Sequence, residues 1–229
     1  MKQNTTLILW LTAVFYHFIF LRSQTLSPKR TVIITGANSG IGFAATKILV
    51  ESDNWNVVMA CRSKEKASIA RNLLKIGNSN IEIEELDLAS LKSIKAFATR
   101  WGNRPLNVLA CNAGIQKSKS AIGKGSKVSE ELICRTAEGF EETVGTNHIG
   151  HFYLLQLLRN NLEKTPGTSR VVIVGSGVHN PNEPGGDVGS AAGLGSMIGL
   201  QNGFQKEISM VDNSAFDPDK AYKDSKLVI

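Results

Sequence analysis

Cysteine is scarce in this chain and never paired. Its three cysteines, Cys61, Cys111 and Cys134, are odd in number and show no Cys-x-x-Cys or other metal-type spacing. Neither a disulfide framework nor a metal site is expected from them. Cys61 and Cys111 close apolar runs, where a thiol packs as a small inert hydrophobe. Runs of Lys and Arg interleaved with aromatics are also missing, although the formal charge is +6. Lys2, Arg22, Lys29 and Arg30 lie in the first thirty residues, which hold no acid, and the rest of the chain carries 22 basic against 20 acidic residues. Most of the basic excess therefore belongs to the leader, and no nucleic-acid partner is expected.

Long hydrophobic runs are equally few. Leu7–Leu21 (LILWLTAVFYHFIFL) is bracketed by Lys2 and Arg22 and interrupted by His17. It is long enough for a signal peptide and short for a spanning helix, so it reads as a cleaved targeting signal, an uncleaved membrane anchor or a buried helix. Residues 1–29 are set apart on that ground. Residues 30–229 suffice for one domain with a substantial core.

What the chain does have is TVIITGANSGIG at Thr31–Gly42. A short apolar strand runs into closely spaced glycines and then into a helix. Such a turn presents backbone N–H groups and a helix N-terminus to a pyrophosphate. The spacing Gly36-x3-Gly40-x-Gly42 differs from the common GxGxxG fingerprint. A tight turn without a ligand is the competing reading. The predicted cradle comprises Gly36, Asn38, Ser39, Gly40, Ile41 and Gly42.

Strand and helix patterns then alternate. Strands are expected at Asn56–Ala60, Ile81–Leu86, Leu106–Cys111 and Arg170–Val174. Helices are expected at 43–52, 64–76, Leu91–Trp101 and 142–162, with a polar loop at 116–135. This alternation predicts an α/β fold, a Rossmann-like doubly wound parallel sheet. In such a fold the end of the second strand faces the adenosine ribose. Arg62 and Lys66 there suit a 2′-phosphate, and hence NADP(H), better than a 2′-hydroxyl, although a solvated arginine is the alternative. Asp87, after the third strand, could accept from an adenine amino group or cap the next helix. Ser176 stands at the carboxyl end of the fifth strand, where ligands bind in open α/β sheets. Tyr222 and Lys226 are four apart on a helix, so they share a face, and a nearby ammonium favours the phenolate. His148 and His151 read as packed histidines of a buried helix rather than acid/base groups.

Taken in order, TGxxxGxG, Asn112-Ala113-Gly114, Asn147, Ser176 and Tyr-x3-Lys resemble the short-chain dehydrogenase/reductase family. The resemblance implies that Asp87 and Leu88 lie at the adenine, that Asn112, Ala113 and Gly114 line the cofactor crevice, and that Asn147 holds a relay water. It further implies a proton donor at Tyr222, with Ser176 and Lys226 assisting and Lys226 also binding the nicotinamide ribose. The long Gly-rich segment between Ser176 and Tyr222, together with WNVVMACR, LDLAS, EGFEETVGTNHIGHF and AYKDSK, is similar to the light-dependent protochlorophyllide oxidoreductases. Gly114 and Val228 depart from that group, which has alanine and cysteine there.

This likeness implies NADPH-dependent reduction of a ring double bond in an apolar substrate, protochlorophyllide, with membrane association possible. It also implies delivery to a plastid through the N-terminal signal, with the endoplasmic reticulum membrane as the alternative. The long segment is expected to be a loop or flap on the substrate side. Ile229 falls just past the helix bearing Lys226, so the sheet is expected to be incomplete at the C-terminus, as in a fragment. The alternatives are a retinol-dehydrogenase-like oxidoreductase and an inactive truncated nucleotide-binding protein.

Overall fold

Val32, Ile33 and Ile34 are apolar without alternation and all three are buried. A strand buried on both faces belongs inside a parallel sheet covered by helices. In the computed structural model, which describes residues 29–74, 80–117, 134–204 and 210–228, this strand is the middle of five. β1 (Arg30–Thr35), β2 (Trp55–Cys61), β3 (Ile81–Glu85), β4 (Val108–Cys111) and β5 (Arg170–Ile173) are ordered β3-β2-β1-β4-β5. The β1–β4, β2–β3 and β4–β5 pairs are parallel, with Val32 opposite Val108 and Val57 opposite Ile81. The strand order reverses between β1 and β4, which opens a crevice beyond their carboxyl ends.

Successive residues of β1 feed two separate cores. Ile33 joins Phe97, Trp101, Leu106, Leu154 and Leu158 on one face. Val32 and Ile34 join Met59, Ala67 and Ala70 on the other. The helices that cover these faces are α1 (Gly40–Glu51), α2 (Lys64–Leu73), α3 (Leu91–Trp101) and α5 (Gly150–Lys164), with the short α4 (Glu142–Val144) between α3 and α5 in the chain. Ser63 caps α2 by accepting from Lys66 N–H, and Ser90 caps α3 by accepting from Ser93 N–H. These caps satisfy helix-start donors that water would otherwise have to serve. At the start of α1, Ser39 makes no such side-chain bond.

Three features go beyond the sequence pattern. The helix expected over 142–162 is interrupted by a π-helical turn, Gly145–Ile149, in which Gly150 N–H donates to Gly145 C=O. Its glycines permit two close approaches. A Cβ on Gly145 would lie 2.3 Å from Thr136 Cγ2, and one on Gly150 would lie 2.4 Å from the Leu88 carbonyl oxygen. Second, β5 is apolar yet exposed, with Val172 at 48% and Ile173 at 50%.

Third, the segment expected as a loop or flap on the substrate side carries short helical turns and packs against the domain. It contains a short 3-10 turn at Gly177–His179 and the four-residue helix α6 (Ile198–Gln201). Phe204 and Val211 are buried with Val144 in a small third core. The last helix, α7 (Pro218–Leu227), holds the segment with two lysines. Lys220 Nζ donates to Gly193 C=O at 2.8 Å, and Lys223 Nζ donates to the carbonyls of Gly186 and Val188 at 2.9 and 2.7 Å. The N-terminal segment 1–28 and most of the loop 116–135 lie outside the described residues. Among the described residues, no helix is long and apolar enough to cross a membrane.

Candidate active site

The crevice is a cavity of about 720 Å³, bounded by the β1–α1 turn, the ends of β2, β4 and β5, and α7. Asn38, Ser39, Gly40 and Ile41 form one wall, together with Gly36. Gly36 and Gly40 have φ of +66° and +53°, a region that side chains rarely adopt. Gly36 N–H donates to the Ala60 carbonyl, tying the turn to β2. Because Ser39 leaves the α1 start uncapped, the N–H groups of that helix end are open to an anion. Gly42 does not line the cavity. It is buried against the opposite wall, where a Cβ would come within 2.5 Å of Asn112 Nδ2 and 2.6 Å of the Gly36 carbonyl oxygen.

Arg62 and Lys66 stand at one end of the crevice, both solvent-exposed, with Ser63 between them. Asp87 and Leu88 lie beside them. One Asp87 oxygen accepts from Ala89 N–H at 3.0 Å, so part of this carboxylate serves its own turn. That turn is the capping alternative in a modified form, since Ser90 is the residue that caps α3.

Asn112, Ala113 and Gly114 line the centre. Their turn is organised by Thr35, whose Oγ1 accepts from Asn112 N–H and Ala113 N–H, both at 2.9 Å. Asn112 Nδ2 donates back to the Thr35 carbonyl at 2.9 Å. Thr35 was legible as a member of the glycine motif, but nothing in its spacing signalled this hub.

Asn147 sits behind the crevice wall rather than on it, and Thr146 reaches the cavity instead. The Asn147 amide makes three hydrogen bonds. Its Oδ1 accepts from Ile115 N–H at 2.8 Å, and its Nδ2 donates to Ile115 C=O and to Ser225 Oγ, both at 3.0 Å. The side chain therefore joins the loop after β4 to α7. His148 stacks on Phe152, and neither His148 nor His151 lines the cavity. Burial lowers the pKa of both rings, that of His151 to about 4.

Ser176, Tyr222 and Lys226 line the same cavity as the glycine turn. Asp217 caps α7 by accepting from Asp219 and Lys220 N–H, and Pro218 opens the helix. This start sets the register that puts Tyr222 and Lys226 on one face. The Lys226 ammonium is 5.8 Å from the Tyr222 ring centroid and donates to the Val174 carbonyl at 2.7 Å. Burial lowers the Lys226 pKa below the ordinary lysine value. The simple picture of an ammonium beside the phenol thus gains a third member, a backbone carbonyl that fixes the lysine.

A model of the short chain dehydrogenase family matches residues 30–210. The chain belongs to that family. It is 44% identical over 203 residues to a chloroplastic protochlorophyllide reductase of Cucumis sativus, covering 87% of this chain and 48% of that protein. It is 43% identical over 202 residues to a protochlorophyllide reductase of Avena sativa, covering 86% of this chain and 61% of that protein. The chain thus spans about half the length of the first of these relatives. Among solved structures, menthone neomenthol reductase from Mentha piperita superposes with a TM-score of 0.58 at 21% identity, covering 87% of this chain and 82% of that one. A short chain dehydrogenase from Shigella flexneri, complexed with NADP, gives 0.58 at 20% identity, covering 89% and 69%. These two establish the fold.

Proposed function

We propose that this chain is the cofactor-binding part of a plastid protochlorophyllide reductase that uses NADPH. The observation that carries the reading is one cavity lined both by two positive-φ glycines at an uncapped helix N-terminus and by Ser176, Tyr222 and Lys226. The identity to protochlorophyllide reductases favours that substrate over the retinol-type alternative.

The residues present fit a nicotinamide dinucleotide. Gly36, Asn38, Ser39, Gly40 and Ile41 would hold the pyrophosphate at the α1 N-terminus, with Gly42 giving the close approach behind them. Arg62 and Lys66 would neutralise the 2′-phosphate. Asp87 and Leu88 would face the adenine, and Asn112, Ala113 and Gly114 would form the floor. Lys226 would hold the nicotinamide ribose. When bound, this cofactor supplies a hydride, and the protein supplies position and electrostatics.

The phenol of Tyr222 is the proton donor, and Lys226, a cation fixed by Val174, favours the phenolate left behind. Ser176, which lines the same cavity, would hydrogen-bond a substrate carbonyl or that phenol. Asn147 acts through its neighbours, since its amide grips Ile115 and Ser225. The names of the relatives support the plastid assignment for this chain.

The test is NADPH binding followed by loss of protochlorophyllide fluorescence under illumination, with Tyr222→Phe as the control. Tyr222→Phe should keep NADPH affinity within roughly threefold while cutting turnover by about 10²-fold or more. Failure to bind NADPH would remove the cofactor assignment. Binding of NADPH without light-dependent turnover in a clone of the relatives' length would remove the substrate assignment.

A further inference from the structure

Thr35, His151 and Asn147 come from β1, α5 and the π-helical turn, and they meet in a buried polar chain. Thr35 Oγ1 lies 2.9 Å from His151 Nε2, and His151 Nδ1 lies 2.8 Å from the Asn147 carbonyl oxygen. His151 is 7% exposed, Asn147 2% and Thr35 fully buried.

Counting donors and acceptors fixes where the protons are. A carbonyl can only accept, so Nδ1 must carry a hydrogen. A threonine hydroxyl has two lone pairs and one proton. Both lone pairs of Thr35 face the N–H groups of Asn112 and Ala113, the Asn112 N–H being shared with the Ala110 carbonyl at 3.0 Å. Its proton must then point either to His151 Nε2 at 2.9 Å or to the Ala110 carbonyl at 3.3 Å. Were it to point to Ala110, Nε2 would need its own proton as a third donor to the same oxygen. The ring would then be a buried cation facing Lys226 from α7 and His148 from the π-helical turn, which both oppose its charge. The remaining solution is a neutral ring, protonated at Nδ1 and accepting from Thr35 at Nε2.

We propose that His151 is a positioning residue of the cofactor crevice. Held as the neutral Nδ1–H tautomer, it couples the Thr35 hub under Asn112 and Ala113 to the Asn147 backbone. Asn147 in turn holds Ile115 and, through Ser225, the helix that bears Tyr222 and Lys226. Both walls of the crevice therefore depend on one imidazole that touches neither cofactor nor substrate. This inference rests on the cofactor reading above only for its functional consequence.

The experiment is ¹⁵N NMR of the histidine-labelled chain, whose four histidines are assigned with His151→Asn, together with NADPH titrations. One ring should remain the neutral Nδ1–H tautomer from pH 8 to pH 5. Thr35→Val should leave the proton on Nδ1, where the Asn147 carbonyl holds it, but shift the Nε2 resonance as that nitrogen loses its donor, whereas Thr35→Ser, which keeps the hydroxyl, should leave the Nε2 resonance in place. NADPH affinity should fall roughly tenfold in Thr35→Val and in His151→Gln, and the double variant should be no weaker than either single one. An Nε2–H tautomer, titration of His151 near its ordinary value of about 6.5, or additive losses in the double variant would overturn the proposal. If wild-type chain keeps the tautomer but does not bind NADPH, the cofactor reading fails and the tautomer assignment stands.

Discussion

Gly42→Ala sets two energies of opposite sign against each other. Gly42 lies in the first turn of α1 with ordinary helical backbone, so helix propensity alone favours alanine by about 1 kcal/mol. Sterics oppose it. The new Cβ would stand 2.6 Å from the Gly36 carbonyl oxygen and 2.5 Å from Asn112 Nδ2. Neither neighbour can yield cheaply, because Gly36 is held to Ala60 and Asn112 Nδ2 to the Thr35 carbonyl. Overpacking of this kind costs about 1–3 kcal/mol, and contact with backbone places it at the upper end.

The expected net loss is about 2 kcal/mol, or roughly 4–8 °C in melting temperature for a domain of this size. NADPH affinity should fall as well, since both walls of the crevice must part. Gly40→Ala is the internal comparison. Its Cβ meets nothing within 4 Å, but its φ of +53° is strained for alanine by roughly 1–2 kcal/mol. Its melting shift should therefore be the smaller of the two. A thermal melt by circular dichroism and a fluorescence titration with NADPH read both effects. A Gly42→Ala chain that melts at or above wild type would refute the steric argument.

Arg62→Ala combined with Lys66→Ala should weaken NADPH by about tenfold or more and leave NADH nearly unchanged, as measured by parallel titrations. Asp224 is fully buried and accepts from Lys220 Nζ at 2.7 Å and from Gly193 N–H at 2.9 Å; because Lys220 keeps Asp212 at 3.1 Å and the Gly193 carbonyl at 2.8 Å, Asp224→Ala should cost about 1–3 kcal/mol in urea unfolding. His151 has a folded pKa of about 4, below its ordinary 6.5. The unfolded ring gains its proton near 6.5 and the folded ring only near 4, so the stability it contributes is present above pH 6.5 and lost as pH falls to about 4. That loss reaches about 3 kcal/mol by pH 4 and about 2 kcal/mol at pH 5, so the fall in unfolding free energy from pH 7.5 to 5 should be larger by about 2 kcal/mol in wild type than in His151→Asn, where the buried His148 still contributes.

The sheet was legible because its inner strands are short apolar runs between glycine or polar breaks. Ile81–Leu86 and Leu91–Trp101 correspond closely to β3 and α3. The cavity-lining residues were legible where a motif states a local geometry. Gly36 and Gly40 carry positive φ, and Tyr222 and Lys226 follow helical spacing. What was not legible depends on contacts between distant segments. The π-helical turn accompanies close approaches of Gly145 to Thr136 and of Gly150 to Leu88, neither visible in a 3.6-residue period. Gly42 and Asn147 belong to the right motifs, but they stand behind the crevice rather than in it. The Gly-rich segment lacks hydrophobic periodicity because lysine-to-carbonyl bonds, rather than a broad apolar face, hold it to α7.

That mode of attachment extends to α7 as a whole. Of its seven buried residues only Pro218 and Ala221 are apolar, and the others are Lys220, Lys223, Asp224, Ser225 and Lys226. Apolar packing is non-directional and tolerates small rotations of a helix. Hydrogen bonds weaken steeply with misalignment. Lys226 to Val174, Ser225 to Asn147, Asp224 to Gly193 and Lys223 to Gly186 and Val188 radiate from the helix in different directions. Together they fix rotation and translation of the face that carries Tyr222. A helix placed this way loses orientation when one tie is cut, before the two main cores of the sheet are disturbed. The polar ties of α7 therefore govern the geometry of the candidate active site more than the stability of the sheet beneath it.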